Sequence, residues 1–319
     1  MEISVIIPVY NADAFVGRAV ESARNQPEVT EVVLVEDGSP DQSYEVCRDL
    51  AQKYPEVELH THPNRENRGP GATRNRAIRM SSNDYVAFLD ADDFYLSERF
   101  AQTAAVFDQY PDADGVYEAV GTRFENQEVK EGWVRGDGLT TITERIDPSN
   151  LFYKQQVVGG VGYPHLNGIT LRKKVFEEGG YFNEDLHLGQ DIELFIRLSI
   201  CCKLYPGKIE SPVAMRRVHK NNRISKKKNG KKKFSKKMKM IYSPMKWAKK
   251  SGYDREAHEL KKKALEICRQ VIIYKKPDPR WFMSPILQHV ILIFKVPEMV
   301  TEVKFYKSVI KSLDRGRIL

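Results

Sequence analysis

The chain has 319 residues, 41% hydrophobic and 29% charged, with 20 glycines and 16 prolines, an ordinary globular composition that excludes wholesale disorder and collagen-like structure. At about 150 residues per domain this is enough for one large domain and a smaller one. The net charge of +8 is local: residues 216–250 hold 16 Lys or Arg and no acid, leaving 35 basic against 43 acidic residues elsewhere. A mildly acidic body with one strongly basic segment is expected to meet an anionic partner through that segment. No apolar run reaches the roughly 20 residues that a membrane-spanning helix requires. The opening Met-Glu leads straight into an apolar strand, without a charged n-region or cleavage site, so no secretory signal is expected. Cys47, Cys201, Cys202 and Cys268 form no Cys-x-x-Cys pair, which fits reduced thiols in the cytoplasm and argues against zinc.

Strand and helix patterns alternate over the first hundred residues. Ile3–Val9 reads as a strand buried on both faces, and Phe15, Ala19 and Ala23 with Val16 and Val20 predict a helix over about 12–26. Val32–Val35 is a second buried strand, 41–54 a second helix, and Val57–Thr61 a third strand. A glycine turn leads into a helix over Gly69–Met80, and Tyr85–Leu89 is a fourth buried strand. Near-continuous apolar strands separated by helices predict a parallel α/β sheet covered on both faces. Its strands then end on one edge, where such folds bind ligands. There is no Gly-x-Gly-x-x-Gly after the first strand and no P-loop, which argues against both nucleotide sites that those motifs build. A helix is expected over Ser97–Tyr110, one strand over Gly115–Phe124, loops over 125–165 and a helix over Asp191–Ile200. Residues 254–275 and 299–313 also read as helical, with the apolar stretch Pro285–Phe294 between them.

Three stretches carry chemistry. In Phe88-Leu89-Asp90-Ala91-Asp92-Asp93, three carboxylates gather where a buried strand ends. Like charges so placed need a cation or much water, and hard oxygen ligands suit Mg²⁺ or Mn²⁺ bridging to substrate phosphates. A solvated acidic turn is the alternative. Val35-Glu36-Asp37-Gly38-Ser39 again ends a strand in acids, which can accept a base N–H such as uracil N3–H or the guanine edge. Asp37 and Ser39 equally suit a turn that caps a helix. In Asn67 to Asn75 the glycines let the backbone approach a ligand, and a helix start with Arg74 favours a diphosphate.

Pro8-Val9-Tyr10-Asn11, Glu36-Asp37-Gly38-Ser39, Gly69 to Asn75 and Asp90-Ala91-Asp92-Asp93 occur in that order, each at a strand's end. The ordered set resembles the family-2 nucleotide-sugar glycosyltransferases, which have the GT-A fold and a DxD metal motif, and the likeness covers about residues 1–225. The resemblance implies that Pro8, Tyr10 and Glu36 line the base pocket, with Arg74 near base and diphosphate. It puts Asp90 by the ribose and Asp92 on the metal, Mn²⁺ or Mg²⁺. Gly179 to Asp191 looks like the segment that ends in the catalytic base, here Asp191. Arg216-Arg217-Val218-His219 resembles the closing segment whose His reaches the metal or diphosphate. Glu36 stands where Asp is usual, and Gln190 where Glu is usual.

The implied activity is metal-dependent, inverting transfer of sugar from a nucleoside diphosphate sugar, UDP foremost, to a cell-surface glycan or lipid-linked saccharide. Residues 1–110 would form the donor part, 111–225 the acceptor and catalytic part, and 226–319 a basic, mainly helical extension. For Asp191 the bland alternative is an acid favoured at a helix start, and for His219 a surface or strand-end His. A Mg²⁺-dependent phosphohydrolase is a second enzymatic reading, though its nucleophilic Asp usually follows the first strand. A non-catalytic polyanion-binding or membrane-binding protein is the third. Trp133 and the Gly159–His165 loop are candidates to line an acceptor pocket. The basic tract is either a solvated face or an attachment to anionic lipid on the cytoplasmic side. Nucleic acid is disfavoured because only Phe234, Tyr242 and Trp247 interrupt the tract, not spaced as a stacking platform.

Overall fold

The structure, a computed structural model, describes residues 1–131, 133, 138–186, 188–219 and 230–274, with the side chains of 237–267 in the last segment. The apolar stretch 285–294, the helix expected over 299–313 and positions 220–229 of the basic tract lie outside the described residues. In chain order the first elements are β1 (Ile3–Val9), α1 (Val16–Arg24), β2 (Val29–Glu36), α2 (Ser43–Lys53), β3 (Val57–Thr61), α3 (Gly69–Met80), β4 (Tyr85–Phe88), β5 (Phe94–Tyr95) and α4 (Ala101–Gln109). Then follow β6 (Gly115–Tyr117), β7 (Ala119–Phe124), α5 (Gln127–Glu131), α6 (Leu151–Tyr153), β8 (Ile169–Arg172), α7 (Val175–Glu178), α8 (Gln190–Cys201), β9 (Leu204–Pro206), β10 (Pro212–Val218), α9 (Gly230–Lys250) and α10 (Asp254–Tyr274).

Seven strands form one sheet in the order β3-β2-β1-β4-β8-β6-β9, and β5-β10-β7 form a second. The pairs β1–β2, β1–β4 and β2–β3 are parallel, while β8 runs antiparallel to both β4 and β6. The central strands are apolar on both faces because both are covered. Ile6, Val33 and Val35 pack with Ala77, Ile78, Leu194 and Phe195 on one side. Val5, Ile7, Val32 and Leu34 pack with Val16, Ala19, Val20 and Cys47 on the other. The expected mostly parallel α/β sheet with helices on both faces is therefore the observed one. Burial pushes the Cys47 thiol up to about 12, so it behaves as a small core hydrophobe.

The single strand expected over 115–124 is two, because Glu118 interrupts it. β6 joins the large sheet beside β8, and β7 joins the small sheet beside β10. Between them the Glu118 carboxylate is fully buried, pairs with Arg99 Nη1 and accepts from Thr103 Oγ1 at 2.7 Å and Lys208 N–H at 3.1 Å. A buried carboxylate needs such partners, and the chain leaves one sheet for the other where they are met. A side chain at Gly168 would run into the Glu118 carbonyl, so glycine lets the turn before β8 approach this junction.

The second half of the basic tract also has a packed side, its lysines Lys237, Lys239, Lys246, Lys249 and Lys250 remaining exposed. Met238, Ile241 and Met245 of α9 pack with Ile196 of α8 and Leu260, Ala264 and Ile267 of α10. Ser243 of α9 donates to Glu193 of α8 at 2.6 Å. No described helix is long and apolar enough to cross a membrane.

Removing one member of a buried ion pair leaves the other charge uncompensated, at a cost of about 3–5 kcal/mol. Glu118→Ala is expected to lose about that much stability in urea denaturation. Replacing both partners, Arg99→Met with Glu118→Leu, should lose less; equal losses from the two variants would show that the charges are not what matters here.

Candidate active site

Beyond the carboxyl ends of β1, β2 and β4 lies a cavity of about 660 Å³. Pro8, Tyr10, Arg74, Asp90, Asp92, Asp191 and His219 all line it, so seven of the eight residues singled out from the sequence share one space. Glu36 does not line it. Its side chain is wholly buried, Oε1 accepts from the Ser39 amide, and Oε2, which accepts no hydrogen bond, is 3.7 Å from Arg65. The next residue, Asp37, faces the cavity instead.

Asp37 also organises the turn. Its carboxylate accepts from the Arg68 and Gly69 amides at 2.7 and 3.0 Å, so it caps α3. An acid there is favoured by the helix dipole and satisfies N–H groups that the helix leaves open. The start of α3 therefore spends these amides on Asp37, and Pro70, Thr73 and Arg74 line the cavity, Arg74 bringing the charge. Gly38, at φ +67°, is required because a Cβ would lie 2.5 Å from Arg65 O. Ser39 and Ser43 accept from the Asn11 and Ala12 amides at 3.0 and 2.8 Å, tying the loop after β1 to the loop after β2.

The acidic loop after β4 is held from three directions. Asn167 accepts from the Asp90 amide at 3.1 Å and donates to Asp93 Oδ2 at 2.6 Å. The Arg217 amide of β10 donates to Asp93 Oδ1 at 2.7 Å, and Arg74 Nη2 pairs with Asp90 Oδ1 at 2.6 Å. Asp92 Oδ2 lies 3.3 Å from His219 Nε2. Burial, with Asp92 and Asp90 adding to it, raises the Asp93 pKa well above the usual carboxylate range. Asp90, Asp93 and His165 bring ligand atoms within 4.8 Å of one another.

This donor set fits a hard divalent cation through its carboxylates. His165 is the poorer ligand, since its Nδ1 accepts from the Asn167 amide at 3.3 Å. A neutral ring so bonded carries its proton on Nε2 and offers a donor, not a lone pair. Desolvation, with Arg216 and Arg74 behind it, pushes the His165 pKa down.

Asp191 lies in the first turn of α8, after Gly189 at φ +84°. The segment before it is pinned to α3. Asn75 donates to Phe182 O and Glu184 Oε1, both at 2.9 Å, and accepts from the Phe182 amide at 2.9 Å. Gly71 lets Asn183 O approach to 3.4 Å of where a Cβ would stand. With the Gln190 amide turned to satisfy both neighbours, its oxygen accepts from Arg74 Nη1 at 3.1 Å and its nitrogen donates to Leu186 O at 3.0 Å. Arg74 thus bridges Asp90 and the residue beside Asp191.

With this geometry in view, the likenesses become informative. The family model described as "Glycosyl transferase family 2" matches residues 4–179, more than half of the chain. The chain belongs to glycosyl transferase family 2. Succinoglycan biosynthesis protein ExoU of Rhizobium meliloti is 31% identical over 201 residues, 61% of this chain and 56% of that protein. Poly(ribitol-phosphate) beta-glucosyltransferase of Bacillus spizizenii is 36% identical over 101 residues, 31% of this chain and 16% of that protein. The chain thus spans about half or less of these curated relatives. S. aureus TarS 1-349, solved in complex with UDP-GlcNAc, superposes with a TM-score of 0.67 at 18% identity, covering 99% of this chain and 90% of that one. At that identity the likeness shows the fold, which is of the GT-A type.

For this family-2 chain, sequence reasoning chiefly missed Asn167, and it named His165 only as the end of a loop that could line an acceptor pocket, not as a neighbour of the acidic loop. Neither carries a spacing signal; they reach the acidic loop only because β8 inserts between β4 and β6. Trp133 stands against Phe124 and Arg216, at 6.2 and 5.2 Å between ring centroids and from guanidinium to ring, while His165 and Leu166 line the cavity.

His62 is buried against Thr73 Oγ1 at 3.2 Å and Asp37 Oδ1 at 3.5 Å. Desolvation holds its pKa down despite the pull of Asp37. Between the folded and unfolded pKa values the unfolded chain then binds the extra proton, so stability is full above the unfolded value, about 6.5, and is lost as pH falls below it. His62→Gln is expected to flatten the acid side of the stability–pH curve. An unchanged slope would assign it to other groups, His165 first.

Proposed function

We propose that this protein transfers a sugar from a nucleoside diphosphate sugar, a UDP-sugar, to a hydroxyl of a cell-surface glycan or lipid-linked saccharide, with inversion and with Mn²⁺ or Mg²⁺. The observation that carries the reading is the convergence of the Arg74–Asp90 pair, Asp92 with His219, and Asp191 on one cavity at the carboxyl edge of the sheet. The base assignment draws on TarS, solved with UDP-GlcNAc and with UDP. The acceptor class draws on relatives named for succinoglycan biosynthesis and for glucosylation of poly(ribitol-phosphate). A phosphohydrolase fits less well, since β1 ends in Pro8-Val9 and presents no aspartate to attack a phosphoryl group.

In this mechanism Asp191 takes the acceptor hydroxyl proton, and the oxygen attacks the anomeric carbon as the bond to the diphosphate breaks. A positioned base contributes typically about 10²–10⁴-fold. Arg74 and Arg216 meet the charge that develops on the leaving diphosphate. One base and an in-line displacement invert the anomeric centre. Asp92 and His219, beside Asp90 and Asp93, would hold a divalent cation, which would supply Lewis-acid neutralisation of the diphosphate. We assign the catalytic unit to 1–225 and an extension to 226–319, whose helices α9 and α10 buttress α8 and so the helix whose first turn carries the base.

The decisive experiment is thermal unfolding with UDP, GDP, dTDP and CMP, each with and without Mn²⁺. A ligand at 100 times its Kd adds about 2.7 kcal/mol, a shift of several degrees. UDP is expected to give that shift only with the metal. Asp191→Asn should keep the shift and lose transfer by at least about 10². Near-normal turnover would reassign the base, and no shift with any nucleotide would overturn the donor reading.

We further propose peripheral attachment to an anionic membrane through α9, where Lys237, Lys239, Lys246, Lys249 and Lys250 are exposed beside the buried Met238, Ile241 and Met245. Each such lysine is worth about 1 kcal/mol near an anionic surface. Lys237→Gln, Lys239→Gln and Lys246→Gln together are expected to release the protein from phosphatidylglycerol vesicles without changing UDP affinity. Retention on the vesicles would refute the attachment.

A further inference from the structure

The small sheet gathers like charge on one face. Where β7 pairs with β10, Arg123 lies opposite Arg217, and Met215, two residues earlier, lies opposite Phe94 of β5. Alternation puts Phe94, Met215, Arg123 and Arg217 on the same side. Arg18 of α1 comes down on that side too. Its guanidinium stands 3.7 Å from the centre of the Phe94 ring, with Arg123 at 5.8 Å from the same ring. Arg217 stacks on Phe15 at 4.7 Å. Like charges directly opposite in a strand pair are destabilising, and here a third joins them. Burial and the charges of Arg123 and Arg217 lower the pKa of Arg18. Among the described residues, Arg18 and Arg123 have no carboxylate within ion-pair distance. The fold therefore sustains a cationic cluster that nothing within the described protein neutralises at those two residues.

We propose that this face binds a phosphate group of the acceptor, which makes the acceptor a phosphate-bearing glycan. This rests on the glycosyltransferase reading above and narrows it. The cluster is separate from the donor subsite, because neither Arg18 nor Arg123 lines the cavity. It is also next door. Phe15 lines the cavity, carries Arg217 on its ring and touches the His219 ring at 5.2 Å, while the Arg217 amide holds Asp93. An extended acceptor with a hydroxyl in the cavity passes over this face as it leaves. Guanidinium forks match phosphate oxygens two at a time, whereas lysines act as point charges. The arginine face thus suits a phosphodiester at a defined place, and the lysine edge of α9 suits a diffuse lipid surface.

The test is binding of a short glycerol phosphate oligomer with UDP and Mn²⁺ saturating, so that the donor subsite is filled. Arg18→Gln with Arg123→Gln is expected to weaken the oligomer about tenfold or more, with the UDP shift unchanged. The melting midpoint should stay level or rise, because the substitution removes repulsion. Equal oligomer affinity in both proteins, or none in the wild type, would overturn the proposal. So would a lowered midpoint with oligomer affinity intact, which would make the arginines stacking partners only. Loss confined to phosphatidylglycerol vesicles would make the face a lipid site and overturn it as well. If UDP gives no shift in the wild type, the donor reading fails by itself, and the oligomer arm still reports on the arginine face.

Discussion

Three carboxylates in four residues at the end of β4 cannot sit together in a half-buried site without opposition, and much of the molecule is arranged to supply it. Each restraint on Asp90, Asp92 and Asp93 comes from a different part of the chain. Arg74 comes from α3, Asn167 from the turn before β8, the Arg217 amide from β10 and His219 from just beyond that strand. Burial first, and the neighbouring charges of Asp92 and Asp90 after it, raise the pKa of Asp93. A divalent cation, as proposed above, would complement carboxylates placed this way.

Asn167 shows how such a site is kept rigid. Its side chain holds Asp90 and Asp93, its amide faces His165, and its carbonyl accepts from Arg99 Nε at 3.2 Å. Arg99 in turn pairs with Glu118, where the chain crosses from one sheet to the other. The polar core that joins the two sheets and the acidic loop that faces the cavity are therefore one connected network. A fully satisfied buried network specifies one arrangement of its members, and a partly satisfied one does not. That gives a physical reason why a costly buried charge pair sits so near a site that needs its oxygens in fixed places.

The first half of the fold was legible because it is local. β1 to α3 alternate with clear periodicity, and their turns announce themselves through Gly38, Gly69 and Pro70. The same is true of Asp90 and Asp92 past the end of β4, Arg74 in the second turn of α3 and Asp191 in the first turn of α8, which converge because parallel strands end on one edge. What was not legible depends on long-range partners. Glu118 splits a stretch that reads as one strand only because Arg99, nineteen positions earlier, waits to bury it. Asn167 and His165 matter through an antiparallel insertion that no spacing foretells. The resemblance puts Glu36 at the base pocket, but the alternation of β2 turns it inward beside Ser39 and turns Asp37 toward the cavity. The basic tract looked uniform by composition. Its second half hides an apolar stripe of Met238, Ile241 and Met245, diluted by lysines that face away.

Sorting the charges by place resolves the misleading net value of +8. Acid concentrates in the cavity, arginine on the face of the small sheet beside it, and lysine along α9. These are three chemistries of increasing tolerance. Carboxylates at a strand end demand a particular cation geometry, forked guanidinia demand phosphate oxygens in a plane, and exposed ammonium groups demand only negative potential. Precision is thus greatest where a bond must break and falls off outward, as expected if the chain must hold a donor rigidly, register an acceptor loosely and stay near a charged surface without being fixed to it. The topology makes that gradient possible. β10 carries Arg216 toward the cavity and Arg217 toward the outer face on consecutive residues, so a single strand delivers charge to both sides through the two-residue period of the sheet.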